Sequence, residues 1–172
     1  MKVIFLDVDG VLNSQATLNV DESLEDSLIL RLKKIVDATG AKLILSSSWR
    51  EFYPAVRKLM NKLDKYDMHL SGMTGHGVSK EFVAEKGFIP TKRYVYVDYN
   101  YETGLREEAV YDRGAEIAWW LDKHTGVDSF VILDDDTYDI MPYYPDNLVN
   151  TSYKTGLTDA DVEKSIKILN KQ

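Results

Sequence analysis

The 172-residue sequence contains no cysteine, which excludes disulfides, thiol nucleophiles and thiolate metal sites. No apolar run approaches the roughly 18–20 residues that span a bilayer, and Met1 leads directly into a strand-like segment without the layout of a signal peptide. A cytoplasmic protein without membrane contact is the expectation. The three histidines, His69, His76 and His124, are scattered and form no HExxH zinc motif. No GxxxxGK[ST] loop accompanies the glycines at 72–77, and no GxSxG elbow is present. Basic charge is also in short supply: 21 Lys and Arg stand against 28 Asp and Glu, a formal net charge of −7. Long-range attraction to polyanions is therefore unfavourable, and any nucleic-acid contact requires a local basic patch. What remains is an ordinary globular composition, 44% hydrophobic and 28% charged, with ample material for the core of one domain.

Short, continuously apolar strands at 3–6, 42–45 and 130–133, with a shorter one at 148–150, alternate with amphipathic helices. The first helix carries Leu24, Leu28, Leu32, Ile35 and Val36 at helical spacing, with Ser23 and Asp26 as a capping-box-like start and Gly40 as a left-handed stop. Pro54 opens a second, with Ala55, Val56, Leu59, Met60 and Leu63 on one face. A third runs from Arg113 towards Gly126 with Ile117, Trp120 and Leu121 inward. A last one has Thr158 as N-cap, Asp161 three residues on, and Val162, Ile166 and Leu169 inward. This alternation predicts an α/β fold, a doubly wound, mainly parallel Rossmann-like sheet covered on both faces. The expected organisation is a single domain over 1–172, with residues 65–112 partly sheet core and partly an inserted flap or small cap that includes a strand at 94–98.

In such sheets the carboxyl ends of the strands collect the functional residues. Three strands here run into DVD, SSS and DDD. Asp7 and Asp9 flank one residue, which in extended chain puts both carboxylates on one side, and their repulsion is relieved by a divalent cation. Oxygen ligands without Cys or a His pair favour Mg²⁺ over zinc. A bare DxD is equally a solvated loop or a helix cap, and four acidic residues in six positions (Asp134, Asp135, Asp136, Asp139) also describe a solvated turn. Ser46, Ser47 and Ser48 supply neutral donors suited to phosphoryl oxygens, although a serine run after a strand is also common loop chemistry.

Together these segments resemble the haloacid dehalogenase (HAD) superfamily. FLDVDGVLN is similar to its first motif, a hydrophobic strand followed by DxDG[TV]. LILSSSWR is similar to the second, Arg113-Gly114 to the third, and ILDDDTYD to the fourth, in the family's order. The SSSWR and RGAEIAWWL details resemble HAD domains of RNA-repair and polynucleotide kinase-phosphatase proteins. The resemblance implies a Mg²⁺-dependent phosphomonoesterase working through an aspartyl-phosphate. Asp7 would be the nucleophile and Asp9 the acid/base, also lending its backbone carbonyl to the metal. Asp135, with Asp134 or Asp139, would complete the Mg²⁺ site. Ser47 or Ser46 would bind the phosphoryl group, and Arg113 would offset its charge. Arg50 is a candidate second phosphate contact or a surface ion-pair residue. The implied partner is a phosphorylated small molecule, a nucleotide or a nucleic-acid end. The rival readings are a non-catalytic HAD-fold binding module and an end-processing component of a nucleic-acid repair system. Clustering of Arg50, Arg57, Lys58 and Lys62 on one face would favour the latter.

Overall fold

A computed structural model describes residues 1–17, 24–91, 95–99, 104 and 106–171, with 95–99 and 106–107 described by their backbone alone. In chain order the elements are β1 (Lys2–Leu6), α1 (Asp26–Thr39), β2 (Lys42–Leu45), a 3-10 turn (Ser48–Glu51), α2 (Tyr53–Asp64), β3 (Leu70–Met73), β4 (Val78–Ser79), α3 (Lys80–Glu85), β5 (Val95–Tyr99), β6 (Arg106–Val110), α4 (Arg113–Lys123), β7 (Ser129–Asp134), β8 (Leu148–Asn150) and α5 (Asp159–Leu169). They fall into two compact units, residues 1–73, 126–135 and 147–172 in one, 74–125 and 136–146 in the other.

The first unit is built on a five-stranded sheet in the order β3-β2-β1-β7-β8, with every neighbouring pair parallel. This is the α/β sheet that the alternation of apolar strands and helices predicts. Because successive side chains leave a strand on opposite faces, Ile4, Leu6, Leu43, Leu45, Val131 and Leu133 share one face. They merge there with Leu32 and Ile35 of α1, Leu59 and Leu63 of α2, and Val162 and Leu169 of α5. Val3, Phe5, Ile44 and Ile132, of the opposite parity, are buried as well. Burial on both faces explains why these strands read as unbroken apolar runs.

The helix signals divide unevenly. Gly40 ends α1 at φ +66, its N–H on the Val36 carbonyl, and Thr158 with Asp161 forms a full capping box on α5. Pro54 stands in the first turn of α2. The start of α1 differs from expectation: the helix opens at Asp26 behind Glu25 with no side-chain cap, and Ser23 lies outside the described residues. Met60 is exposed, because Val56, Leu59 and Leu63 already fill the inward stripe of α2. Helix α4 stops at Lys123, three residues short of Gly126, with the His124 ring stacked on Trp120. Of the strand expected at 94–98, the backbone of 95–99 forms β5, and Tyr94 lies outside the described residues.

The second unit has its own sheet, order β4-β6-β5, antiparallel throughout, and a core of Val78, Val83, Val110, Ala115 and Tyr143. Its anchor is Asp112, fully buried just ahead of α4. The Thr91 N–H and hydroxyl donate to that carboxylate at 2.8 and 2.7 Å, and the Tyr143 hydroxyl donates at 2.7 Å. A buried carboxylate deprived of a donor loses about 1–3 kcal/mol, so Tyr143→Phe is expected to lower unfolding stability by that amount in urea melts at pH 7. Burial, then the Asp112 bond, raise the Tyr143 hydroxyl above its ordinary pKa. The stabilisation is therefore present below about pH 10 and is lost as the pH climbs further. The gap between wild type and Tyr143→Phe should narrow in alkaline melts; a gap that widens there would show the bond to be irrelevant.

Candidate active site

The sheet register assembles the site. Leu6 of β1 pairs with Leu45 of β2 and with Leu133 of β7. The pairing runs one step further: the Ser46 N–H donates to the Leu6 carbonyl (2.8 Å), the Asp7 N–H to Leu133 (3.0 Å) and the Thr151 N–H to Asp134 (3.0 Å). Ser46, Asp7 and Asp134 thus stand at one level on adjacent strands, which lie about 4.8 Å apart in any sheet. The three polar strand ends noted in the sequence are a single row.

Asp7 and Asp134 are buried and Asp135 half-buried, and one carboxylate oxygen from each lies within 4.8 Å of the others. Three like charges held this closely in a poorly solvated place repel strongly. A hard divalent cation relieves that repulsion, and an all-carboxylate donor set suits Mg²⁺. Gly10 closes this group from below. It adopts φ +70, and a side chain there would place its Cβ 2.4 Å from Cγ and Oδ2 of Asp135.

Asp9, two residues beyond Asp7, is clamped at both oxygens. The Asn13 amide donates to Oδ1 at 2.7 Å and the Trp49 indole N–H to Oδ2 at 3.0 Å. Asn13 is itself fully buried and fixed by the Gly10 N–H on its Oδ1 at 2.9 Å. The loop carrying these residues is tied down by distant chain: the Leu157 N–H donates to the Val11 carbonyl, the Gln15 N–H to Tyr153 and the Glu25 N–H to Leu12.

The two candidate serines differ in occupation. Ser47 caps the 3-10 turn, its Oγ accepting the Trp49 N–H at 3.3 Å. The Ser46 hydroxyl is buried with no hydrogen-bond partner among the described residues. Arg50 donates from Nη1 to the Ser47 carbonyl at 2.9 Å, which braces the serine loop.

Arg113 and Asp139 belong to the second unit, where they meet. The Asp139 carboxylate accepts the Arg113 backbone N–H (3.0 Å) and its carbonyl accepts the Gly114 N–H (3.0 Å). Asp139 thereby satisfies two of the N–H groups that every helix start leaves open. Burial pushes its carboxyl above the usual range, against the opposing pull of the Arg113 bond.

A family profile, the HAD domain in Swiss Army Knife RNA repair proteins, matches residues 3–162. The chain belongs to this HAD family. No curated protein matched the chain closely enough to count as a relative. The motifs implied Asp7 and Asp135 with either Asp134 or Asp139, and the Asp9 carbonyl beside them; Asp7, Asp134 and Asp135 are the carboxylates that lie together, and Asp139 caps the start of α4. The motifs did not point to Asn13 and Trp49 as partners of Asp9. Trp49 is 40 positions from Asp9, and nothing in sequence spacing links an indole to a carboxylate so far away. Asn13 carried a weak signal, being an amide in an otherwise apolar VLN segment that follows the DxDG turn.

Proposed function

We propose that this HAD domain is a Mg²⁺-dependent phosphomonoesterase acting on nucleotides or nucleic-acid ends. The observation that carries the reading is the convergence of Asp7, Asp134 and Asp135 within 4.8 Å beside a carboxylate, Asp9, gripped from two sides. Asp7, Asp134 and Asp135 would hold the ion, with the Asp9 carbonyl as a further oxygen ligand. Bound there, Mg²⁺ would offset the negative charge of the phosphoryl oxygens.

An Asp7 carboxylate oxygen attacks phosphorus, and the bond to the leaving oxygen breaks with its electron pair. Asp9, protonated at that stage, gives its proton to the leaving oxygen. It then takes a proton from water as the water oxygen attacks the aspartyl-phosphate, releasing phosphate and restoring Asp7. The Ser46 hydroxyl, with no protein partner among the described residues, donates to a phosphoryl oxygen. Ser47 and Arg50 shape that loop, Asp139 serves the start of α4, and for Arg113 the role is the one that the resemblance to the third motif implies. The family's association with RNA repair supports a nucleic-acid-related substrate. The test is phosphate release from p-nitrophenyl phosphate with Mg²⁺ and with EDTA. Turnover that needs the metal is expected; none at all would favour a non-catalytic module, and metal-independent release would remove the ion from the mechanism.

The Asp9 clamp makes a second measurable claim. Trp49→Phe removes one of the two donors that hold the Asp9 side chain in place, and a well-placed general acid contributes about a hundredfold or more. A misplaced acid matters most when the leaving group is a poor one. We expect kcat/KM for an alkyl phosphate to fall about tenfold to a hundredfold, and for p-nitrophenyl phosphate by less than about threefold. Equal losses on both substrates would mean that Trp49 does not act through Asp9.

A further inference from the structure

The Ser46 hydroxyl is not alone in lacking a hydrogen-bond partner among the described residues. Oγ1 of Thr151, the first residue after β8, is buried and unpaired as well. Thr151 is only 6% exposed, whereas Asn150 just before it is exposed. A buried hydroxyl without a partner loses its bonds to water and gains nothing in return. Valine has the same outline and would fill the place without that cost, so the hydroxyl calls for a partner that the chain itself does not provide.

The sheet register brings Thr151 to the acidic group. Asp134 pairs with Asn150, and one step on, the Thr151 N–H donates to the Asp134 carbonyl at 3.0 Å. The Asp135 nitrogen is bonded to the carbon of that same carbonyl, so the backbones of Thr151 and Asp135 come within about 5.5 Å of each other. Thr151 therefore adjoins two of the three residues whose carboxylates lie within 4.8 Å of one another. The chain beyond it is fastened too, the Gly156 N–H donating to the Ser152 carbonyl at 2.7 Å and the Leu157 N–H to Val11 at 3.0 Å. A β-branched side chain on a fixed backbone has little rotamer freedom. Burial of this hydroxyl is thus a property of the fold.

Mg²⁺ takes about six oxygen ligands in octahedral geometry and gives up its waters reluctantly. Three carboxylate oxygens and the Asp9 carbonyl would fill four of those places, which leaves room for water. A water on a cation turns its oxygen to the ion and its protons outward, so it needs an acceptor nearby. A hydroxyl oxygen has two lone pairs for that purpose.

We propose that Thr151 is a positioning residue of the cation site, its hydroxyl accepting a hydrogen bond from a water molecule that the ion retains. The proposal rests on the Mg²⁺ part of the phosphatase reading, and metal binding is measurable without substrate. The experiment titrates MgCl₂ into the intact chain by calorimetry and records Tm in EDTA on the same preparations. Thr151→Val deletes the hydroxyl and keeps the outline, whereas Thr151→Ser keeps the hydroxyl. In EDTA, Tm of Thr151→Val should equal or exceed that of wild type, since no protein partner is lost. Its Kd for Mg²⁺ should rise about tenfold, the lower end of what partners just outside the ligands contribute. Thr151→Ser should stay within about threefold of the wild-type Kd. A merely structural threonine would give the reverse, a lowered Tm in EDTA with Kd unchanged, and that result would overturn the proposal. Equal losses of Mg²⁺ affinity in the two variants would overturn it as well. A wild-type chain that binds no Mg²⁺ would remove the cation site and this role together. A wild-type chain that binds Mg²⁺, shows the expected split between the variants and yet releases no phosphate would sink the phosphatase reading and leave the role of Thr151 standing.

Discussion

Asp7→Asn is expected to cost at least about a thousandfold in phosphate release while the protein folds as before. The amide has the shape of the carboxylate, so the row formed by Ser46, Asp7 and Asp134 keeps its backbone bonds. It lacks the anionic oxygen that the proposed mechanism uses against phosphorus, and removing a nucleophile costs several orders of magnitude. The substitution also removes one of three negative charges held within 4.8 Å. Less repulsion remains to be overcome without metal, so Tm in EDTA should match or exceed wild type. Phosphate release and thermal melts on the same preparation check both halves. Substantial turnover in the variant would reassign the nucleophile, and a lowered Tm in EDTA would contradict the picture of a repulsive carboxylate cluster.

Gly10→Ala should also be damaging, by a different route and to a smaller extent. Its φ of +70 strains any residue with a Cβ, at about 1–2 kcal/mol. The added methyl would also stand 2.4 Å from the Asp135 carboxylate, which has to move. Since Asp135 is a proposed metal ligand, the thermal stabilisation by Mg²⁺, which grows with metal concentration, should largely disappear. Turnover should fall on the order of a hundredfold, the scale of a misplaced catalytic constellation. Gly40→Ala is the matched control: φ is +66, but nothing lies within 4 Å of the new Cβ. That variant should lose about 1 kcal/mol of stability and keep the full response to Mg²⁺. An intact metal response in Gly10→Ala would break the link between the DxDG glycine and the ion.

The parallel sheet was legible because burial on two faces writes itself as unbroken apolar strands, and the capping chemistry of Thr158, Asp161 and Gly40 is local. Other features left no comparable trace. β3 reads LSGM, too short and too glycine-dependent to resemble a core strand. β6 reads REEAV, charged where a buried strand would be apolar, because it belongs to a small antiparallel sheet. The candidate site was readable where its chemistry sits on strand ends, since a strand fixes where the next residue goes. Its supports were not, because the contact of Trp49 with Asp9 and the bonds from Leu157 to Val11 join segments far apart along the chain.

Those last bonds bear on biosynthesis. Asp7 is made long before β7, yet β1 lies in the middle of the sheet, flanked by β2 and by that much later strand. The loop after Asp7 acquires its bonds to Tyr153 and Leu157 only when that late segment has emerged. At ribosomal speeds of about 5–20 residues per second, roughly 7 to 30 s separate synthesis of Val11 from synthesis of Leu157. Through that interval the nascent chain carries an apolar strand with an unpaired edge, and the loop around Asp9 is unfinished. Premature termination after residue 139 but before residue 153 would therefore yield a product with every motif residue present and the loop of Asp9 lacking its outer fastening.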